Sequence, residues 1–271
     1  MKKLKPSYLY LAFVFALMYL PIFYLMFYSF NAGSYMNGFA GFSLKHYATL
    51  FSDYRLMGIL ANTFIIALLS GLFATLIGTF GALAIYRTRR IGLKNTLLSL
   101  NNILIVSPDV IIGASFLILF TLIGLKLGFF SVLLAHIAFS IPIVVLMVLP
   151  RLNEMNPALI DAAHDLGATD FQVLSRVVLP YAWPGILAGF FMAITYSLDD
   201  FAVTFFVTGN GFSTLSIEIY SRARQGIDLS VNALSTLMFL VSLVLVGVYY
   251  YISLRTNNGS KKKRQMRTAV R

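Results

Sequence analysis

The sequence predicts an all-α fold, a polytopic bundle of transmembrane helices, on three observations. The first is composition: of 271 residues, 59% are hydrophobic and 11% charged, with mean hydropathy +0.82. Soluble domains carry about 25% charged residues, so this chain lacks the polar surface to stay in water. The second is length of run. Crossing a ~30 Å hydrocarbon core takes ~20 apolar helical residues. Six stretches qualify: Tyr8–Phe30, Thr63–Tyr86, Leu97–Ile123, Phe129–Leu149, Pro184–Val207 and Val231–Leu254. They lack the alternation of barrel strands, so helices are the expected form. The third is where the basic residues sit, in short clusters flanking the apolar runs.

The first span follows Lys2, Lys3 and Lys5 and could be mistaken for a signal peptide. Its apolar run exceeds the 7–15 residues of a typical signal core and contains Pro21, so it reads as a retained anchor. With the N-terminus inside, sixteen of the 21 Lys and Arg fall on inner segments, among them Arg87, Arg89, Arg90, Lys94, Arg151, Arg176 and the tail from Arg255. The other five are Lys45, Arg55, Lys126, Arg222 and Arg224, on outer segments. The positive-inside rule therefore places both termini in the cytoplasm. The net charge of +11 is thus a topology signal and not a nucleic-acid face, and Lys261–Arg264 reads as a solvated basic tail attracted to anionic lipid. With no cysteine, there is neither a disulfide framework nor a thiolate metal site. No internal repeat is evident. No segment outside the membrane is long enough to fold alone, so residues 1–271 read as a single transmembrane domain.

The inner loop between spans four and five, 150–183, carries its own structure signals. Asn156-Pro157 is a helix start, with Asn as cap and Pro at the first helical position. Leu159, Ala162, Ala163 and Leu166 follow at i, i+3, i+4 and i+7 as one apolar stripe, with Asp161, His164 and Asp165 off it. Gly167 is a stop that can take the left-handed conformation. Thr169 and Gln172 then form a capping box opening a second helix up to Leu179-Pro180. Pattern alone leaves two readings: a surface helix packed under the bundle, or a ridge that docks in a cleft of a soluble partner.

The residues of this loop carry a resemblance. Asp161-Ala162-Ala163, Gly167 and Val177-Val178-Leu179-Pro180 resemble the EAA signature of ABC-importer permeases in every spacing, with Asp161 where Glu is most common. Ser107-Pro108-Asp109, Ser197-Leu198-Asp199-Asp200, Phe206-Val207-Thr208-Gly209, Ile219-Tyr220-Ser221 and Val231-Asn232-Ala233 extend the similarity from the first span to the last. They are similar to the spermidine/putrescine branch of that family, in its second, C-type permease subunits. The resemblance implies a type I, MetI-like permease fold. It also implies a heterodimer with a related permease, two cytoplasmic ATPase subunits and an extracytoplasmic polyamine-binding protein. Asp161, Ala162, Ala163, Gly167, Leu179 and Pro180 would then seat on an ATPase. The chain contains no Gly-Lys-Ser/Thr, so it lacks the P-loop lysine and hydroxyl; ATP and Mg²⁺ would be handled by the partners, and this chain would be a transport subunit and not an enzyme.

Three acids fall inside apolar spans: Asp109, Asp199 and Asp200. A mid-membrane Asp costs ~2.5–3.5 kcal/mol, so such residues face a cavity or a partner. No Lys or Arg lies within the same spans. Counted at 1.5 Å per residue along straight helices, Asp109 is ~18 Å from the inner end of span three and the pair is ~23 Å into span five. Adjacent residues point ~100° apart, so one of Asp199 and Asp200 is expected on the pathway, and Pro108 is expected to bend span three and aim Asp109 inward. The acids are either neutral and bonded to Ser, Thr or Tyr of neighbouring helices, or stations for a polycation. In the second case Tyr196 and Tyr220 would add cation–π attraction. Two acid levels suit a molecule with separated amines. His136 is expected to be a packed, hydrogen-bonded residue and Asn101 and Asn102 interhelical hydrogen-bonders. The glycine-containing segment Gly209–Ser230 reads as a re-entrant or surface loop. Alternatives are the same permease fold serving ferric ion, thiamine or an anion, the last disfavoured by the three acids, and a proton-coupled carrier, which leaves the loop signature unexplained. The Gly-x-Gly-Asp and Gly-x-Ser-Gly patterns of intramembrane proteases are absent.

Overall fold

The computed structural model describes residues 6–34, 36, 38–225 and 229–269, with side chains for 8–34, 36, 38–224 and 229–252. The Lys2, Lys3 and Lys5 cluster and the side chains of the basic tail from Arg255 lie outside the described residues. Among the described residues there is no β-strand; the one strand-like pairing is an isolated bridge between Asn31 and Phe42. The helices are α1 (Pro6–Ser29), α2 (Lys45–Ser52), α3 (Tyr54–Arg87), α4 (Ile91–Val106), α5 (Asp109–Leu122), α6 (Phe129–Asn153), α7 (Ala158–Asp165), α8 (Asp170–Val173), α9 (Leu179–Asp199), α10 (Ala202–Val207), α11 (Leu215–Gln225) and α12 (Leu229–Ala269). A π-helical turn, Leu174–Val178, joins α8 to α9 without a break.

Five of these segments among the described residues are long and apolar enough to cross a membrane: Tyr8–Ser29, Tyr54–Arg87, Phe129–Asn153, Asp170–Asp199 and Leu229–Ile252. The expected third span is not one helix. It is α4 and α5, bent by 104° at Ser107-Pro108. Proline supplies no N–H and drives the preceding residue out of the helical region, and Ser107 accordingly sits extended at φ −70°, ψ 139°. The expected bend is therefore a break, and counting depth along a straight axis to Asp109 loses its meaning. Span five also differs from expectation. Its helix starts at Asp170, ends at Asp199 and resumes as α10 after a non-helical Asp200, so the stretch 184–207 is not one rod.

By packing, the chain divides into two compact units, residues 1–61 with 217–243 and residues 62–216 with 244–271. In the first, Asn31 is fully buried and ties the segment after α1. Its side-chain oxygen accepts from the Ala40 and Gly33 amides at 2.7 and 3.3 Å, and its amide donates to the Gly38 carbonyl at 2.9 Å. Asp53 caps α3 through the Arg55 and Leu56 amides. Buried Glu218 of α11 pairs with Arg55 and with Arg222. The segment 209–230 is thus not a loop throughout, because α11 occupies its middle and carries an internal ion cluster.

In the second unit α9 packs along α6 and α10 along α5. Small residues permit the approach: a Cβ on Gly78 of α3 would stand 2.7 Å from Val144 Cβ, and one on Gly189 of α9 would stand 3.2 Å from Val144 Cα. One buried cluster runs through Ala74, Ala82, Val148, Leu152 and Ala182, and another through Ile66, Ile112, Phe120, Val132 and Val203.

Candidate functional site

The break at Pro108 makes Asp109 the first residue of α5, an acid in the first turn, where the helix dipole favours negative charge. Across from it on α9, the Tyr196 hydroxyl donates to Asp109 Oδ1 at 3.2 Å, and the Tyr196 ring meets Phe139 of α6 edge-on at 5.1 Å. Asp109 is exposed and Tyr196 is 38% exposed, so this acid–aromatic pair lines an open surface. Asp199, the last residue of α9, is exposed too and makes no hydrogen bond or ion pair with any described residue.

Asp200 is the opposite case. Its side chain is 8% exposed and accepts from the Val203 and Thr204 amides at 3.2 and 2.8 Å and from the Thr204 hydroxyl at 2.6 Å. The Thr204 hydroxyl has one hydrogen, which this short bond to a carboxylate uses. His136 Nε2, 2.8 Å from the same hydroxyl, is therefore the donor to it. On the other side of the fully buried imidazole, Nδ1 lies 2.7 Å from the Ser197 hydroxyl, which Ser70 of α3 also reaches at 3.1 Å. The Asp200 carbonyl takes the Ser216 hydroxyl at 2.6 Å. This network ties α3, α6, α9 and α10 around the break in span five.

The structure thus brings Asp109 and Tyr196 together, leaves Asp199 open beside the break and closes Asp200 inside. Tyr220 belongs to the other unit, on α11, 40% exposed, with the Arg224 guanidinium carbon 5.8 Å above its ring. His136 is packed and hydrogen-bonded as expected, and Asn101 donates to the Pro142 carbonyl of α6 at 3.4 Å. The reading from sequence missed Phe139 and the Ser70, Ser197 and Thr204 hydroxyls. A signal for part of this existed: an acid ahead of a short apolar run is a helix cap, and Asp200 caps α10. Among the described residues no cluster of His and acids is arranged to hold a metal ion.

The loop after α6 folds as its signals indicate. Asn156 Oδ1 accepts from the Ala158 amide at 3.0 Å, Gly167 takes φ +78°, and the Thr169–Gln172 capping box closes in both directions at 2.9 and 3.3 Å. The expected apolar stripe is split, however. Ile160 and Ala163 pack inward with Leu179, whereas Leu159, Ala162 and Leu166 are exposed, Leu166 at 89%, beside Phe171 at 76%. Asp161 and Pro180 are exposed as well. An eight-residue helix laid across a bundle end can bury only one face, and Ile160 takes it.

Several membrane-length helices joined by a structured loop define a multi-pass membrane protein. The chain belongs to the family of binding-protein-dependent transport system inner membrane components, whose profile matches residues 74–258. It is 38% identical to the spermidine/putrescine transport system permease protein PotC of Escherichia coli, over 86% of this chain and 88% of that one. To the protein of the same description from Haemophilus influenzae it is 36% identical, covering 90% and 95%. To the E. coli putrescine transport system permease protein PotI it is 33% identical, covering 88% and 86%. Among solved structures, a bacterial ABC transporter that imports alginate superposes with TM-score 0.72 at 20% identity, covering 92% of this chain and 94% of that one. The MetNI methionine transporter superposes with TM-score 0.64 at 21% identity, covering 75% and 99%. The fold is therefore the MetI-like ABC permease fold, and the family's members are transport components and not enzymes.

Proposed function

We propose that this chain is the permease subunit of an ATP-driven importer that moves polyamines, spermidine or putrescine, across the bacterial cytoplasmic membrane by alternating access. The observation that carries the reading is an exposed acid–aromatic pair, Asp109 with Tyr196, and a second open acid, Asp199, in a chain whose curated relatives are named as spermidine/putrescine permeases. A protonated amine can replace the Tyr196 hydroxyl on Asp109 and lie against the ring, where cation–π attraction contributes ~0.5–2 kcal/mol. Asp199 offers a second carboxylate to another amine of the same molecule. Asp200 serves through the break that it caps, and Tyr220 is a further aromatic contact on the external side.

The chain acts as one transmembrane permease domain, six crossings with the α4–α5 pair counted as one, and with both termini in the cytoplasm. It pairs with a homologous permease and two ATPase subunits that bind ATP and Mg²⁺, and receives substrate from an extracytoplasmic polyamine-binding protein. The exposed Leu159, Ala162, Leu166 and Phe171 face, with Asp161 beside it, supports docking on an ATPase. Gly167, Ala163, Leu179 and Pro180 carry that contact into α9.

Labelled spermidine uptake by the assembled importer in proteoliposomes tests the reading. Asp109→Asn lowers uptake at unchanged complex assembly; uptake equal to the parent's removes Asp109 from the pathway. Absence of any spermidine-dependent transport by the parent complex removes the polyamine reading itself.

A further inference from the structure

Where α3 ends, a cavity of about 380 Å³ opens between that helix end, α7 and the α8–α9 rod. Its floor is apolar: Leu83, Val173 and Val178 line it and are buried. Arg87 and Arg89 stand on its rim, exposed, and neither has an ion-pair or hydrogen-bond partner among the described residues. Among the described residues, the one carboxylate lining the cavity, Asp170, lies 3.7 Å from His164 Nε2, which lines it too. Two uncompensated guanidiniums over an apolar floor fit an amphiphile with an anionic head. The planar forks pair with phosphate oxygens two at a time, and the floor accepts the carbons behind the phosphate. A bare inorganic anion has no use for that floor.

Position narrows the ligand further. Arg87 ends a membrane-length helix and Arg89 and Arg90 follow it directly, on the side that the distribution of basic residues assigns to the cytoplasm, where anionic lipid headgroups are found. The two sides of α7 also separate two possible occupants. Ile160 and His164, one turn apart, line the cavity, whereas Leu159 on that helix and Leu166 just past its end are exposed and do not line it. An ATPase seated on the exposed face leaves the cavity to the membrane side, so both surfaces can be occupied at once.

We infer that this cavity binds the phosphate headgroup of an anionic phospholipid, which clamps the end of α3 to the α7–α8 elbow. The inference does not depend on the transported solute. Its test is the assembled complex in nanodiscs of phosphatidylcholine with and without phosphatidylglycerol, with retained phosphatidylglycerol counted by native mass spectrometry. Arg87→Gln with Arg89→Gln is expected to lower phosphatidylglycerol retention at least fivefold and to abolish the rise in melting temperature that this lipid gives the parent. Arg90→Gln, which lies off the rim, keeps both. Because removing two inner charges also weakens the topology signal, Arg87→Lys with Arg89→Lys is the companion variant. It keeps the charge, loses the forks and is expected to fall between parent and double Gln variant. Retention unchanged in both double variants overturns the site. Equal protection of the parent by millimolar inorganic phosphate in phosphatidylcholine discs overturns the lipid in favour of a free anion. Loss of ATPase association in the double Gln variant, with lipid retention intact, assigns the cavity to an ATPase carboxylate instead.

Discussion

Asp199 and Asp200 are adjacent in sequence and sit in opposite surroundings. Asp200 is closed in by two backbone amides, a threonine hydroxyl and the His136 imidazole behind it, while Asp199, one residue earlier at the last position of α9, is exposed and makes no hydrogen bond or ion pair with a described residue. In a medium without water, a carboxylate that the protein satisfies belongs to the architecture. One left open, or held by a single long hydroxyl contact as Asp109 is, is the kind that the proposed function assigns to a cation from outside. The choice between the two is made by the helix end: the chain leaves the helix at Asp200, so its side chain turns back to cap α10 while that of Asp199 stays on the outer surface.

Five substitutions test these assignments. The largest effect is expected from the open acids. Losing a charge-assisted contact of ~1.5–3 kcal/mol predicts that Asp109→Asn lowers kcat/KM for spermidine uptake by roughly ten- to a hundredfold, with an unchanged melting temperature. Asp199→Asn should behave alike. His136→Ala should do the reverse, costing roughly 2–4 kcal/mol by stranding a buried carboxylate and hydroxyls, read as a fall of several degrees in the melting temperature of the complex. A variant that kept its melting temperature would reopen Asp200 as a pathway residue. Gly167→Ala comes next. A Cβ there meets nothing within 4 Å, so its cost is only the ~1–2 kcal/mol of a left-handed backbone. It is expected to raise ATP hydrolysed per spermidine carried about twofold with substrate affinity unchanged. The smallest is Tyr196→Phe, which keeps the ring and drops one hydroxyl contact of ~0.5–1.5 kcal/mol, raising KM about two- to fivefold.

Much of this was legible in the sequence, for stated reasons. Helices of membrane length follow from apolar runs alone, and the α7–Gly167–α8 elbow follows from caps and stops whose partners lie within four residues. What escaped depends on contacts between distant segments. The cap that Asp200 makes on α10 is a local signal, but its enclosure is not, because that needs His136, sixty-odd residues away. The 104° break is not legible locally, since a membrane proline commonly kinks a helix without ending it. Helix α11 reads as a polar loop because its buried Glu218 is matched by Arg55, far back in the sequence.

The π-turn before α9 alters how the whole rod should be drawn. Leu179 donates its amide to Leu174, five residues back, and Pro180 and Pro184 have no amide to give. One such turn absorbs a residue that an α-helix would spend on rotation, so the phase slips by about 100°. On an uninterrupted wheel Phe171 and Tyr196 would lie about 20° apart; with the slip they lie about 120° apart. The aromatic at the elbow and the aromatic at the acid site are therefore turned to different sides of one continuous segment.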